Sequence, residues 1–362
     1  MAETSLRSYT INSIKFPNCV AAGNQAVSES RFNSNPVQDD SSLNACVSIS
    51  VVLVAYNQEN FIREAIRSIF AQTEQFLEVI LSDDCSTDGT FDIMKSEALA
   101  YQGQYRIILN RNPQNMGLAN HLNRVIALSS GQFIVIQAGD DVSVPTRVEK
   151  LVTRWRDHSP RVDLVVSHFE EIDVSSKSTG FIETNVAFVP DLNQHPLRWH
   201  CGATGACAAY SRTLLEKYGP LGERVYAEDW VYSFWSWLES GIAVIEEPLL
   251  QHRTHASSIY VIGKTVKQVA DRQARKRIRT RFAQSRLAIA EQWLRAAEIR
   301  GVPRGSRLFI GAQQLVKCRE IECRAYSSTR LEAISLSLKL WRASGSLLWA
   351  AKLFFRHGFQ IH

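Results

Sequence analysis

The chain has 362 residues, 45% hydrophobic and 21% charged, an ordinary globular balance that supports a sizeable core. Net charge is +5 but unevenly placed: residues 1–255 hold 20 Lys/Arg against 30 Asp/Glu, and residues 256–362 hold 21 against 6. No apolar run reaches the ~18 residues of a spanning helix, no secretory h-region opens the chain, and the seven cysteines lack zinc spacing, so a reducing, cytosolic setting is expected.

Residues 1–45, rich in Ser, Asn and Gln, read as a mobile N-terminal extension. From Val47 the pattern changes. Residues 47–56 form an apolar β-rich run, and 61–72 place Ile62, Ala65, Ile66 and Ile69 on one helical face. Strands are expected at 77–84, 106–112 and 132–141, with helices after each, the last over 144–158 with Pro145 near its first turn. This alternation predicts an α/β fold with a mostly parallel, Rossmann-like sheet flanked by helices. A strand follows at 164–173, then a small-residue turn at Gly202–Ala206, a helix from SRTLLEKY, a Trp-rich helix over 229–241 and a segment 243–255. After about residue 264 only helical patterns remain.

No Gly-x-Gly-x-x-Gly follows the first strand, no P-loop occurs, and no Gly-x-Ser-x-Gly elbow is present. What remains is polar residues at three strand ends: Tyr56-Asn57, Asp83-Asp84 and Asp140-Asp141. In open α/β sheets ligands bind beyond the carboxyl ends of strands. Carboxylates there suit a hard divalent cation on a substrate diphosphate.

The ordered segments VSISVVLVAYNQENFIREAIRSIFAQT, LEVILSDDCSTDGT, NPQNMGLANHLNRVIALSSGQFIVIQAGDD and AEDW resemble the family 2 glycosyltransferases, an inverting group with the GT-A fold, over residues 47–258. The resemblance implies transfer from a nucleotide-sugar donor (UDP-, dTDP- or GDP-linked), with Mg²⁺ or Mn²⁺, to a saccharide or lipid-linked saccharide acceptor. It implies donor contacts from Val54, Ala55, Tyr56 and Asn57, base reading by Asp84, and further donor contacts from Asn115, Gly117 and Asn123. Asp84 alternatively caps the following turn. Asp140 falls on the last carboxylate of the family's D-x-D motif, the metal contact, but the first position is Ala138; Asp141 either compensates or caps the loop. His255 is expected at the metal and Arg253 at the diphosphate.

Asp229 matches the family's catalytic base, with Gly205, Glu228 and Trp230 on the acceptor side; of Trp230, Trp235 and Trp237 at most one is expected to face an acceptor. The implied organisation is a GT-A catalytic domain over 46–260, with a nucleotide-sugar-binding half at 46–142 and an acceptor-binding half at 143–260. A basic helical region follows at 261–362. That region fits an anionic membrane surface, on the inner face of the plasma membrane, or a plain helical subdomain with solvated cations. Two other readings stay open: a lapsed glycosyltransferase-fold binding protein, favoured by Ala138, and nucleic-acid binding through the basic tail, disfavoured by the acidic front.

Overall fold

The computed structural model describes residues 8–10, 48–75, 77–157, 162–184, 204–256, 258, 269, 271–328, 330–345 and 351. Its centre is four parallel strands: β2 (Ile49–Ala55), β3 (Glu78–Asp83), β4 (Arg106–Arg111) and β5 (Phe133–Ala138). β2 is buried along its whole length, which is why it reads as an unbroken apolar run instead of an alternating one. The period of two is still present in the packing. Val52 and Val54 point into one core and Val51, Leu53 and Ala55 into the other.

The second core lies under α1 (Ile62–Phe70), α2 (Thr90–Ala100) and α4 (Arg147–Asp157), whose Ile62, Ile66, Met94, Val148, Leu151 and Trp155 fill it. On the opposite face α3 (Leu118–Leu128), α5 (Arg212–Tyr218) and α6 (Glu228–Glu239) share one core with the C-terminal helices α7 (Arg272–Ile299), α8 (Arg307–Ser327) and α9 (Arg330–Ser344). Trp235 is fully buried there, between Tyr232 and Tyr218.

The sheet order is β1-β4-β3-β2-β5-β9-β7-β10-β6, with β8 paired to β7. β6 (Val142–Ser143), β7 (Leu164–Ile172), β8 (Ser178–Ile182), β9 (Ala208–Ser211) and β10 (Ile242–Arg253) build the second half. Long ladders are parallel and antiparallel pairing is confined to short ones, so the expected α/β architecture holds. Strands β1, β6, β8 and β9 lie where none was expected; β9 replaces part of the loop before α5, and β8 follows β7. Within residues 1–45, β1 (Ser8–Thr10) pairs antiparallel with β4; the rest of that extension, residues 185–203, and the later part of the 341–360 segment fall outside the described residues.

Gly139 explains how tightly the β5 end is seated. Its N–H donates to Val54 O at 3.0 Å. A Cβ there would lie 2.5 Å from Gln58 Oε1, 2.7 Å from Ala55 Cβ and 2.8 Å from Ile62 Cδ1. Gly139→Ala is expected to lower unfolding stability by about 1–3 kcal/mol, read as a lower urea midpoint.

Candidate active site

The polar residues gather where β2, β3, β5 and β10 end. Val54 and Ala55 turn their side chains into the two cores and offer only backbone at the rim, where Ala55 O accepts from Asp84 N at 2.9 Å. Tyr56 is 45% exposed and is the ring of this segment that a ligand can meet. Asn57 adopts a left-handed φ of 53°, tolerated by Asn more than by most residues. It is stitched to the β3 loop: its N–H donates to Ser86 Oγ at 2.9 Å, and its Oδ1 accepts from Thr87 N at 2.9 Å.

Asp84 is buried and takes three hydrogen bonds, from Asn112 Nδ2 at 2.8 Å and from the N–H groups of Met116 and Gly117, each at 2.9 Å. This is the turn-capping arrangement, and it leaves one carboxylate lone pair for anything else. Gly117 has φ 75°, a region that glycine occupies without strain. Asn115 is exposed and accepts from Gly117 N at 3.1 Å. Asn123 is spent on the backbone of Leu221, with Nδ2 to O and N to Oδ1 both at 2.9 Å, so it fixes α3 to the loop before α6. Beneath Asp84, His121 Nε2 meets Ser82 Oγ at 2.6 Å. Burial pushes that histidine down to about 4, so it is neutral there.

At the end of β5, Asp140 is all but buried, and its Oδ2 lies 2.8 Å from His255 Nε2. His255 packs its ring on Phe61, centroids 5.1 Å apart. Asp141 points inward, accepting from Arg253 N at 2.9 Å, and burial pushes it up to about 7. The structure thus separates the two neighbours: Asp140 meets His255, and Asp141 the backbone of β10.

Arg253 differs from the expectation of a diphosphate contact. It is 1% exposed. Its Nε donates to Asp140 O at 2.9 Å, Nη1 to Asp173 O at 2.9 Å and Ser176 Oγ at 3.0 Å, and Nη2 to Glu64 Oε2 at 2.6 Å. A guanidinium so enclosed holds the Asp140 loop, α1 and the β7–β8 turn together.

The turn Gly205–Cys207, tied to β5 through the Arg147 side chain, meets the start of α6. Gly205 N donates to Asp229 Oδ2 at 3.3 Å, and Trp230 N donates to Asp229 Oδ1 at 2.9 Å. A Cβ on Gly205 would lie 2.4 Å from Glu228 Oε1 and 3.3 Å from Asp229 Cβ, so only glycine lets the acid pair come this close. Burial pushes both carboxyls up, Glu228 to about 8, with the charge of Asp229 adding to its shift, and Asp229 to about 6. Trp230 is half-buried against the core; Trp235 is core outright, and Trp237 packs on Phe234.

Arg147, which links β5 to that turn, was not singled out from the sequence. It is fully buried, and its Nη2 donates to Ile136 O of β5 at 3.0 Å and to Ala206 O at 2.9 Å. The signal was a cation on the buried face of α4, one turn before Leu151. His121, on the buried face of α3, carried a similar signal.

Asp140 and His255 suit a divalent ion in donor type and spacing. One carboxylate oxygen and one imidazole nitrogen 2.8 Å apart match neighbouring ligands on an ion with bonds of about 2.1 Å. Among the described residues no group of three His, Cys, Asp or Glu side chains is arranged to hold a metal ion, so diphosphate oxygens and water would complete the shell.

This fold has a solved counterpart in Staphylococcus aureus TarS residues 1–349, crystallised with UDP-GlcNAc. The likeness has a TM-score of 0.51 at 16% identity, covering 86% of this chain and 90% of that one. The architecture is the GT-A fold. The family description Glycosyl transferase family 2 matches residues 50–219. An uncharacterized glycosyltransferase of Haemophilus influenzae is 30% identical over 232 residues, 59% of this chain and 69% of that protein. The chain belongs to glycosyl transferase family 2. EpsE of Bacillus subtilis is 39% identical over 116 residues, 32% of this chain. The chain spans only 41% of EpsE's length.

Proposed function

We propose that the protein is an inverting glycosyltransferase that moves a sugar from a nucleotide-sugar donor to an acceptor hydroxyl. The observation that carries this is the Glu228–Asp229 acid pair, seated on the Gly205 turn and tied through Arg147 to β5, the strand that leads to Asp140. Donor binding then falls to the β2–β5 strand ends (residues 46–142) and acceptor binding to residues 143–260. Tyr56 offers a face to the base or ribose. The remaining lone pair of Asp84 is available to the base edge.

Asp140 and His255 would hold Mg²⁺ or Mn²⁺ on the diphosphate, an ion that would supply positive charge against the departing group. Asp229 takes the proton of the acceptor hydroxyl as that oxygen bonds to the anomeric carbon. The bond from that carbon to the diphosphate oxygen breaks on the opposite side, and its electron pair leaves with the nucleoside diphosphate. Each Asp229 oxygen holds one backbone N–H, which aims the carboxylate without occupying all its lone pairs. Release of nucleoside diphosphate from UDP-, dTDP- or GDP-sugars, in the presence of Mn²⁺ and a saccharide acceptor, tests the reading; no release from any donor contradicts it.

The pH dependence has a definite sign. Only ionised Asp229 accepts a proton, so transfer rises with pH along a limb centred near 6. Stability runs the other way. Both acids have folded pKa values above their unfolded ones, so the native state binds more protons and loses stability as pH rises toward about 8. Glu228→Gln removes one of the two groups, and its melting midpoint is expected to fall less than that of the wild type between pH 6 and 9.

The reading extends to surface polysaccharide or glycolipid assembly on the inner membrane face. No helix among the described residues is long and apolar enough to cross a membrane. On α9, Leu338 is 56% and Trp341 45% exposed, beside the exposed Lys339 and Arg342, a mixture suited to an anionic bilayer surface. Co-sedimentation with phosphatidylglycerol vesicles but not phosphatidylcholine vesicles is expected; equal recovery with both contradicts the electrostatic part.

A further inference from the structure

We infer that Trp293, on the C-terminal helix α7, is a positioning residue for the Asp229 carboxylate; the inference rests on the proposed role of Asp229. The start of α6 poses a problem. Its N-cap residue is Ala227, which supplies no side-chain acceptor to the first turn, and an uncapped helix start frays more readily. One N–H of that turn, on Trp230, is used to hold Asp229 Oδ1. The N–H and C=O of Trp230 lie in adjacent peptide units joined at one Cα, so a contact that holds the Trp230 carbonyl restrains the N–H that holds the base.

The structure supplies that restraint from outside the helix. Trp293 Nε1 donates to Trp230 O at 3.0 Å. The indole is 1% exposed and stacks on Phe234, one turn along α6, with centroids 4.9 Å apart and planes 9° from parallel. A second anchor precedes the helix: Ser285 Oγ accepts from Tyr226 N at 3.0 Å. Arg281 donates to Tyr226 Oη and lies over its ring at 4.3 Å. The far end is held as well, by Arg300 Nε on Leu238 O at 3.2 Å and on Glu239 at 3.3 Å.

Arg281, Ser285 and Trp293 on α7, with Arg300 at its C-cap, thus grip α6 and the loop before it. The C-terminal helices are in this sense part of the acceptor half, not an appendage to it. A base shifted by a fraction of an ångström loses rate without losing donor affinity, and this separates positioning from simple packing.

The test uses the full chain. Trp293→Phe keeps a ring to stack on Phe234 and removes only the N–H. It is expected to lower kcat about tenfold, with donor KM within about twofold of wild type. A kcat within twofold of wild type overturns the inference. So does a fall in kcat matched by an equal rise in donor KM, because general loosening of the fold would do that. Ser285→Ala, which removes the Tyr226 anchor, is expected to give the same split at smaller amplitude and carries the test if Trp293→Phe fails to fold. Asp229→Asn is measured alongside. If it retains turnover, the base assignment itself fails; if it is inactive while Trp293→Phe is unaffected, only the positioning role fails.

Discussion

Asp229→Asn is expected to lower sugar transfer by about 10³-fold, within the range general-base removal produces, while donor affinity stays within about twofold. The amide has nearly the shape of the carboxylate but cannot take a proton at neutral pH. It also has one acceptor atom where the carboxylate has two, so either Gly205 N or Trp230 N loses its partner. That loss is offset by removal of a buried charge beside Glu228, so the variant should remain folded. Initial-rate transfer together with titration of the nucleoside diphosphate separates the two effects. Turnover within about tenfold of wild type would remove Asp229 from the role of base.

Asp140→Ala acts at the end of β5. It removes the carboxylate that His255 Nε2 meets at 2.8 Å. The expected result is loss of the manganese-dependent part of nucleoside diphosphate binding, about 100-fold or roughly 2.7 kcal/mol. The metal-independent part, proposed to rest on Tyr56 and Asp84, is expected to persist. Calorimetric titration with and without Mn²⁺ reads both parts. Unchanged affinity in the two conditions would mean that Asp140 holds no ion. Because Ala138 stands where a first D-x-D carboxylate is expected, no second acid from that motif is there to compensate.

The parallel half of the sheet was legible because β2, β3 and β5 are covered on both faces, and such strands must be apolar throughout. The antiparallel insertions were not. β9 has only four residues, Ala208 to Ser211, and is buried along its length, so no alternation marks it. β8 (Ser178–Ile182) is short, contains Gly180 and is largely exposed, Phe181 included, so no buried stripe marks it as a strand.

Within the site, residue types and their strand-end positions were readable, but hydrogen-bond partners were not. The donors to Asp84 come from Asn112, Met116 and Gly117, which meet it only when β4 and α3 pack beside β3. Arg253 was read as free to meet a ligand, whereas Glu64 on α1 and the β7–β8 turn close over it. Asp173 and Ser176 of that turn lie 80 and 77 positions from Arg253 and Glu64 lies 189 away, beyond any local pattern. Gly205 was placed on the acceptor side from its turn. Its physical reason, the close approach of Glu228, required the folded chain.

The proposed joint binding of a nucleoside diphosphate and a divalent cation at the strand ends is read out by the melting midpoint of the wild-type protein with UDP, dTDP or GDP, each with and without Mn²⁺. One of these nucleotides is expected to raise the midpoint, more with the metal than without it, and Asp140→Ala is expected to lose the metal-dependent increment. No shift with any nucleotide, in either condition, would contradict that joint binding.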